Sequence, residues 1–297
     1  MDRVDIKIGF KCNNNCQFCV QGEKRYKHEN RTLDEIRNAL AEAKGQGAAG
    51  VVFTGGEPTI HPDILAAVKS ARDLGFKNIQ IQSNGRMFAY LDFCKKLVLA
   101  GANEFSPALH GSNPEIHDEL TSSPGAWQQV VQGIKNLKSL GQHVLTNTVI
   151  NSENYQDLPK LAQLFVDLGV DQFQFAFVHI LGTAEKNKDW IVPKMSEVMP
   201  FVKQGLEIGI KAGKVVMTEA IPFCLMQGYE DFIAERIMPE TKIVDAEGVI
   251  ENFADYRWNQ GKVKREECKV CKFFKLCEGP WKEYPEIFGW DEFQPIL

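Results

Sequence analysis

One feature constrains this chain more than any other: short runs of Val, Ile and Phe alternate with amphipathic stretches, four of which end on Gly75, Gly101, Gly141 and Gly169. A glycine just past the last periodic residue takes the left-handed conformation that stops a helix. The pattern predicts strands over Val4–Phe10, Val51–Thr54, Asn78–Ser83, Glu104–Leu109, His143–Ile150 and Gln172–Val178. Between them it predicts helices over Thr32–Lys44, Pro62–Leu74, Leu91–Ala100, Ala126–Leu140 and Tyr155–Leu168. Thr32 and Glu35 form the capping-box pair that starts the first helix. Strands that alternate with helices imply a parallel sheet with the crossover helices outside it.

About six such units precede residue 180, too few for a closed eight-fold barrel. The expected fold is α/β: a partial (β/α)6 TIM-like barrel, or else a doubly wound sheet, with the site at the C-terminal strand ends. Beyond Val178 the pattern changes. A helix is expected over Met195–Ala212 and a hairpin around Glu247-Gly248, before a tail rich in Cys, Pro and aromatics. This divides the chain into a core over 1–215 and a small module over 216–297, too short of apolar residues to stand without a metal staple.

With 44% hydrophobic residues there is enough for a core. The net charge of -5 and the absence of a Lys/Arg block disfavour nucleic acid. No apolar run reaches the ~18 residues of a membrane span, and no signal-peptide core follows Met1. A cytoplasmic protein is expected. Of eight cysteines, six fall in two tight groups. Disulfide frameworks belong to small secreted chains, so grouped cysteines here point to metal.

Cys12-Asn13-Asn14-Asn15-Cys16-Gln17-Phe18-Cys19 directly follows the first strand. Three thiolates in so short a loop suit one face of an iron–sulfur cubane and leave one iron open, which is a catalytic arrangement. Zinc is the alternative metal. The Cys-x3-Cys-x2-Cys spacing, with an aromatic residue before the third Cys, resembles the signature of the radical S-adenosylmethionine (radical SAM) superfamily. The resemblance implies a catalytic [4Fe-4S] cluster on Cys12, Cys16 and Cys19 whose open iron chelates SAM. It also implies reductive cleavage to methionine and a 5′-deoxyadenosyl radical, and hydrogen abstraction from substrate. Phe18 would lie near the adenine.

Thr54-Gly55-Gly56-Glu57-Pro58 ends the second strand. Paired glycines let a backbone approach a ligand closely, and Glu57 can accept from an ammonium group. Placed one β/α unit after the cysteine loop, this segment looks like the family's methionine-binding motif. Ser83-Asn84-Gly85 is similar to the family's Thr-Asn-Gly, and reads equally as a turn. Ser106 through Asp118 resembles a Ser-Leu-Asp-Gly…Glu-x-His-Asp segment. Here Ala108 and His110 replace the usual Ser and Asp, with Ser106 as a substitute contact and His110 as a candidate contact to SAM or substrate. His117 reads as structural, Cys94 as a core thiol. Asn147 and Gln174 are either ligand contacts or satisfied core amides. His179, before Gly182, is a candidate site residue.

Cys268-x2-Cys271-x5-Cys277, with Cys224 upstream, supplies four further thiols. These suit one auxiliary [4Fe-4S] cluster or a structural zinc. The hairpin followed by this spacing looks like the twitch and SPASM extensions of radical SAM enzymes. Trp281 stands where a further SPASM cysteine would fall, which is nearer to twitch. Cys224 is either the fourth ligand or a hydrogen-atom donor, as in radical SAM peptide epimerases. The module also resembles that of the cyclic pyranopterin synthase, but its spacing differs and the tail lacks that enzyme's Gly-Gly ending. No leader-peptide domain is visible. The resemblance therefore implies an oxidoreductase or maturase for a small molecule or short peptide, reduced by flavodoxin or ferredoxin. A non-catalytic iron–sulfur carrier is the alternative, although a carrier has no use for the Gly-Gly-Glu loop.

Overall fold

The computed structural model describes residues 1–297. Its sheet holds β1 (Arg3–Gly9), β2 (Gly50–Gly55), β3 (Asn78–Ser83), β4 (Glu104–Pro107), β5 (His143–Ile150), β6 (Gln172–Phe177), β7 (Val215–Glu219), β8 (Thr241–Asp245) and β9 (Gly248–Ile250). Their order is β7-β6-β5-β4-β3-β2-β1-β8-β9. All neighbours run parallel except the β8–β9 hairpin, where Asp245 opposes Gly248. The two edges, β7 and β9, are not paired to each other, so the barrel stays open.

Each of the four punctuating glycines has a positive φ, and Thr32 and Glu35 close the capping box. The sixth unit is followed by one more parallel strand: β7 pairs with β6 and spans the boundary expected at 215/216. The sequence pattern missed it because Val215–Glu219 is short and carries Met217 and Glu219 on the concave side. The helix Met195–Lys211 seats on β6 through two glycines. A Cβ on Gly205 would lie 2.7 Å from the Phe175 ring, and one on Gly209 2.5 Å from Phe173. This places Phe173 and Phe175 against the helix and turns Gln172, Gln174 and Ala176 to the other face.

That other face is polar and curved. Thr54 donates to Asp5, Asn78 to Glu104 at 2.6 Å and Gln174 to Glu219 at 2.5 Å. Burial lowers the pKa of Arg3 on β1, and Asp5, Glu104 and Glu219 partly restore it. In a flat sheet Glu219, six strand spacings away, would be roughly 29 Å distant and without effect. The sheet is therefore curved, and the Thr183 N–H bond to the Cys19 carbonyl joins the segments that follow β6 and β1.

The C-terminal segment is tied to the rest at both ends. Lys7 meets Asp245 at 2.8 Å, and Lys24 meets Asp245 at 3.1 Å and Glu247 at 2.9 Å. Burial alone would raise the Asp245 carboxyl, but Lys7 and Lys24 hold it down at about 2. At the other end the Tyr284 hydroxyl accepts from the Met195 N–H at 2.7 Å and donates to Glu292. One apolar core runs from Val4 through to Trp281, Tyr284 and Phe293. No helix is long and apolar enough to cross a membrane.

Candidate active site

The cysteine loop hangs from the end of β1, held by its neighbours. The Gly56 N–H donates to the Gly9 carbonyl at 2.8 Å, and the Glu57 N–H to the Lys11 carbonyl at 2.9 Å. Gly55 has φ +129°, and a Cβ there would fall 2.0 Å from the Gly9 oxygen. On Gly56 it would fall 2.2 Å from the Phe10 oxygen. The paired glycines thus admit the chain's own loop, the close approach that the sequence had pointed at a ligand.

Glu57 is buried and its carboxylate is already engaged. Oε1 accepts from the Thr59 N–H at 2.9 Å, from the Thr59 hydroxyl and from Ser83 at 2.8 Å; Oε2 accepts from the Asn84 N–H at 2.6 Å. Burial pushes this carboxyl up, and these hydrogen bonds work against that. Glu57 therefore locks β2's end to β3's end, and Pro58 starts the short turn after it.

Asn84 completes the junction. Its amide donates to Asn13 at 2.6 Å and approaches the Cys12 sulfur at 3.8 Å. Two arginines that the sequence reading passed over clamp the same loop. Arg25 donates to the Cys12 carbonyl at 3.1 Å and to Asn14 and Asn15; Arg86 donates to the Asn13 carbonyl and, at 3.0 Å, to Asn14. Arg86 directly follows the Ser83-Asn84-Gly85 turn, which was the available signal. From the far side, Thr183 donates to the Cys19 carbonyl at 2.9 Å, and Gly182 lies against Cys19 and Val20.

Cys12, Cys16 and Cys19 are all free, partly exposed thiols. Burial, then Cys19 and Cys12, pushes the Cys16 thiol up, and burial likewise raises Cys12. The Asn14 N–H points at the Cys12 sulfur from 3.4 Å. Three thiols are soft donors, of the kind that iron–sulfur clusters and zinc both take.

Phe18 packs edge-on against His110, with ring centroids 4.7 Å apart. His110 is buried; its Nδ1 accepts from the Val149 N–H at 3.3 Å, and its backbone N–H donates to His117 Nδ1 at 3.1 Å. His117 is fully buried and Nε2 has no partner. Burial pushes both imidazoles down, His117 to about 4. Both are neutral in the fold, whereas in the unfolded chain they titrate near 6.5. Their stabilisation is therefore full above pH 6.5 and is lost as the pH falls through 6.5 towards 4. The slope is on the order of 1.4 kcal/mol per pH unit for each group. Urea midpoints at pH 7.5, 6.5 and 5.5 are expected to fall with acid, and His117→Gln to flatten the fall. Midpoints that ignore pH would contradict this.

Ser106 is buried on β4 opposite Gln82. Asn147 on β5 keeps a buried, unpartnered Oδ1, so it is not a satisfied core amide, whereas Gln174 is engaged with Glu219. His179 stacks on Trp281, with centroids 3.6 Å apart and planes 6° apart. Cys94 is fully buried, with its sulfur against the Phe88 carbonyl.

The second cysteine group also comes together. Cys224, Cys268, Cys271 and Cys277 line one cavity of about 420 Å³, counting space open to solvent, under Trp290, Phe293 and Pro295. Burial, then Cys277, Cys268 and Cys271, pushes the Cys224 thiol up to about 12. The Ile296 N–H points at the Cys271 sulfur from 3.4 Å.

Comparison with known proteins gives the family. The chain is 30% identical over 186 residues to a probable GTP 3′,8-cyclase of Saccharolobus islandicus, a match spanning 61% of this chain and 58% of that protein's length. It is 23% identical to the AdoMet-dependent heme synthase of Methanosarcina barkeri over 90% of this chain and 87% of that one. Its fold matches Streptococcus suis SuiB bound to precursor peptide SuiA, with TM-score 0.72, 16% identity, and 94% and 71% of the two chains covered. It also matches native anSMEcpe with bound AdoMet, with TM-score 0.66, 17% identity, and 95% and 90% covered. The Radical SAM superfamily profile matches residues 6–165, more than half of the sequence, and the chain belongs to that superfamily.

Proposed function

We propose that this chain reductively cleaves S-adenosylmethionine and uses the resulting 5′-deoxyadenosyl radical to abstract hydrogen from a peptide or small-molecule substrate, as an oxidoreductase or maturase. The observation that carries the reading is the cysteine loop: three free thiols held by Gly55, Gly56, Asn84, Arg25 and Arg86 at the end of β1. Cys12, Cys16 and Cys19 would hold the catalytic [4Fe-4S] cluster. When bound, cluster and SAM supply a one-electron cleavage that yields methionine and the radical. This chain's own residues fix the loop, offer Phe18 and His110 as an aromatic wall, and exclude water behind Glu57 and Ser83. Pro58, Ser106, Asn147 and His179 complete the proposed SAM and substrate surface.

The segment 216–297 would be a twitch-like module with an auxiliary [4Fe-4S] cluster on Cys224, Cys268, Cys271 and Cys277. Their common cavity supports ligation by Cys224 over a role as hydrogen donor. The peptide bound to SuiB supports a peptide substrate, and flavodoxin or ferredoxin is the proposed reductant. The test is anaerobic reconstitution followed by dithionite and SAM. The expected result is a brown protein that forms 5′-deoxyadenosine; a colourless zinc protein that forms none would sink the reading.

A further inference from the structure

Glu219 ends β7 on the polar concave face. Its Oε2 accepts from neutral Gln174 at 2.5 Å, and its Oε1 has no partner. Close by lies a buried ion network from the C-terminal segment. Arg257 pairs with Glu278 at 2.9 Å, and Lys262 with Glu235 at 2.6 Å and with Glu278 at 3.1 Å. These five charges are within range of one another: Glu219 is affected by Glu235, Lys262, Arg257 and Glu278. Both cations are spent on Glu235 and Glu278. Arg3, deeper on the same face, hydrogen-bonds Thr241 and makes no ion pair. Glu219 is thus a half-buried carboxylate on the concave face whose Oε1 is open to a guest and which has no ion-pair partner of its own.

Three further features surround it. Asn147 is in register with Gln174 and keeps a buried, unpartnered Oδ1. Trp281 is buried, stacks on His179, takes Lys262 at 5.0 Å from its ring centroid, and has an unpartnered Nε1. Ala220, next to Glu219, is held at φ +61° by its N–H bond to Glu235 at 2.7 Å. A non-glycine residue in that region is strained, and such strain gathers at binding sites.

We infer that Glu219 and Asn147, on the two strands that flank β6 on the concave face, recognise a cationic N–H group of the substrate, an alkylammonium or a guanidinium. The inference rests on the radical SAM reading above and names its substrate class. A cation on Glu219 would complete the charge balance of the network, and its N–H groups would satisfy Asn147 Oδ1. Burial raises the carboxyl of Glu219, and Glu235 adds to that while Lys262 and Arg257 work against it; a cationic guest would favour the ionised form.

The test uses reconstituted holoenzyme and two probes of the same shape, methylguanidinium and neutral methylurea, followed by saturation-transfer NMR. Wild type is expected to bind methylguanidinium at least ten-fold tighter than methylurea. Glu219→Gln should abolish the preference and Glu219→Asp should retain part of it. Should Glu219→Gln fail to fold, wild-type Glu219 is expected to be protected by methylguanidinium, but not by methylurea, from esterification by a diazo reagent, read by peptide mass spectrometry. Equal binding of both probes, a preference that survives Glu219→Gln, or no protection overturns the inference. Wild-type 5′-deoxyadenosine formation without probe tests the radical SAM reading separately.

Discussion

Replacing Cys12, Cys16 and Cys19 together by Ala is expected to halve the iron of the anaerobically reconstituted protein, from about eight atoms per chain to about four, and to abolish SAM cleavage. The three thiols share one loop whose position depends on backbone contacts to β2 and on two arginines, none of which needs the sulfurs. The variant should therefore fold, and the C-terminal thiols should load as before. Iron and sulfide analysis read beside zinc decides it. A fall from about four irons to none would remove the auxiliary cluster from the proposal. Zinc without iron would remove both.

Gly56→Ala is expected to imitate that variant without touching a cysteine. The added Cβ would fall 2.2 Å from the Phe10 oxygen and 2.5 Å from the Lys11 oxygen. Both neighbours are backbone atoms at the root of the cysteine loop, so no side-chain rotation relieves the clash. The loop must move, and the Gly56 and Glu57 N–H bonds to Gly9 and Lys11 go with it. The expected cost is ~3 kcal/mol of stability, within the range for overpacking combined with lost backbone hydrogen bonds. Iron should fall towards the content left in the triple variant. Urea unfolding of the apoprotein and iron analysis of the loaded form check the two halves. Full iron with an unchanged midpoint would mean that the junction yields.

The parallel sheet was legible because periodicity and terminal glycines are local signals, and Gly75, Gly101, Gly141 and Gly169 all hold the expected conformation. The hairpin at Glu247-Gly248 was legible for the same reason. What escaped was long-range. β7 carries Glu219 on a face whose polarity only makes sense once the sheet has curved, so its five residues do not read as a strand. That β8 would pair with β1 has no local signature at all. At the site, the cysteine spacing announced itself, while Arg25 and Arg86 did not, because an arginine that clamps carbonyls looks in sequence like any surface arginine. Glu57 stood out in sequence as an acceptor for a ligand; the structure adds a second task that sequence does not show, since its carboxylate fastens two strand ends.

The pairing of β1 with β8 has a consequence for biogenesis. β1 carries the cysteine loop, yet one of its two sheet partners lies far along the chain: Lys7 and Asp245 are 238 residues apart in sequence. Until that partner emerges from the ribosome and docks, β1 is an edge strand with unpaired backbone groups, and three thiols dangle from its end. On the proposed reading, cluster insertion would then be a late event, following the arrival of β8. A nascent chain would present its thiols to oxygen and to other metals before the loop's surroundings are in place.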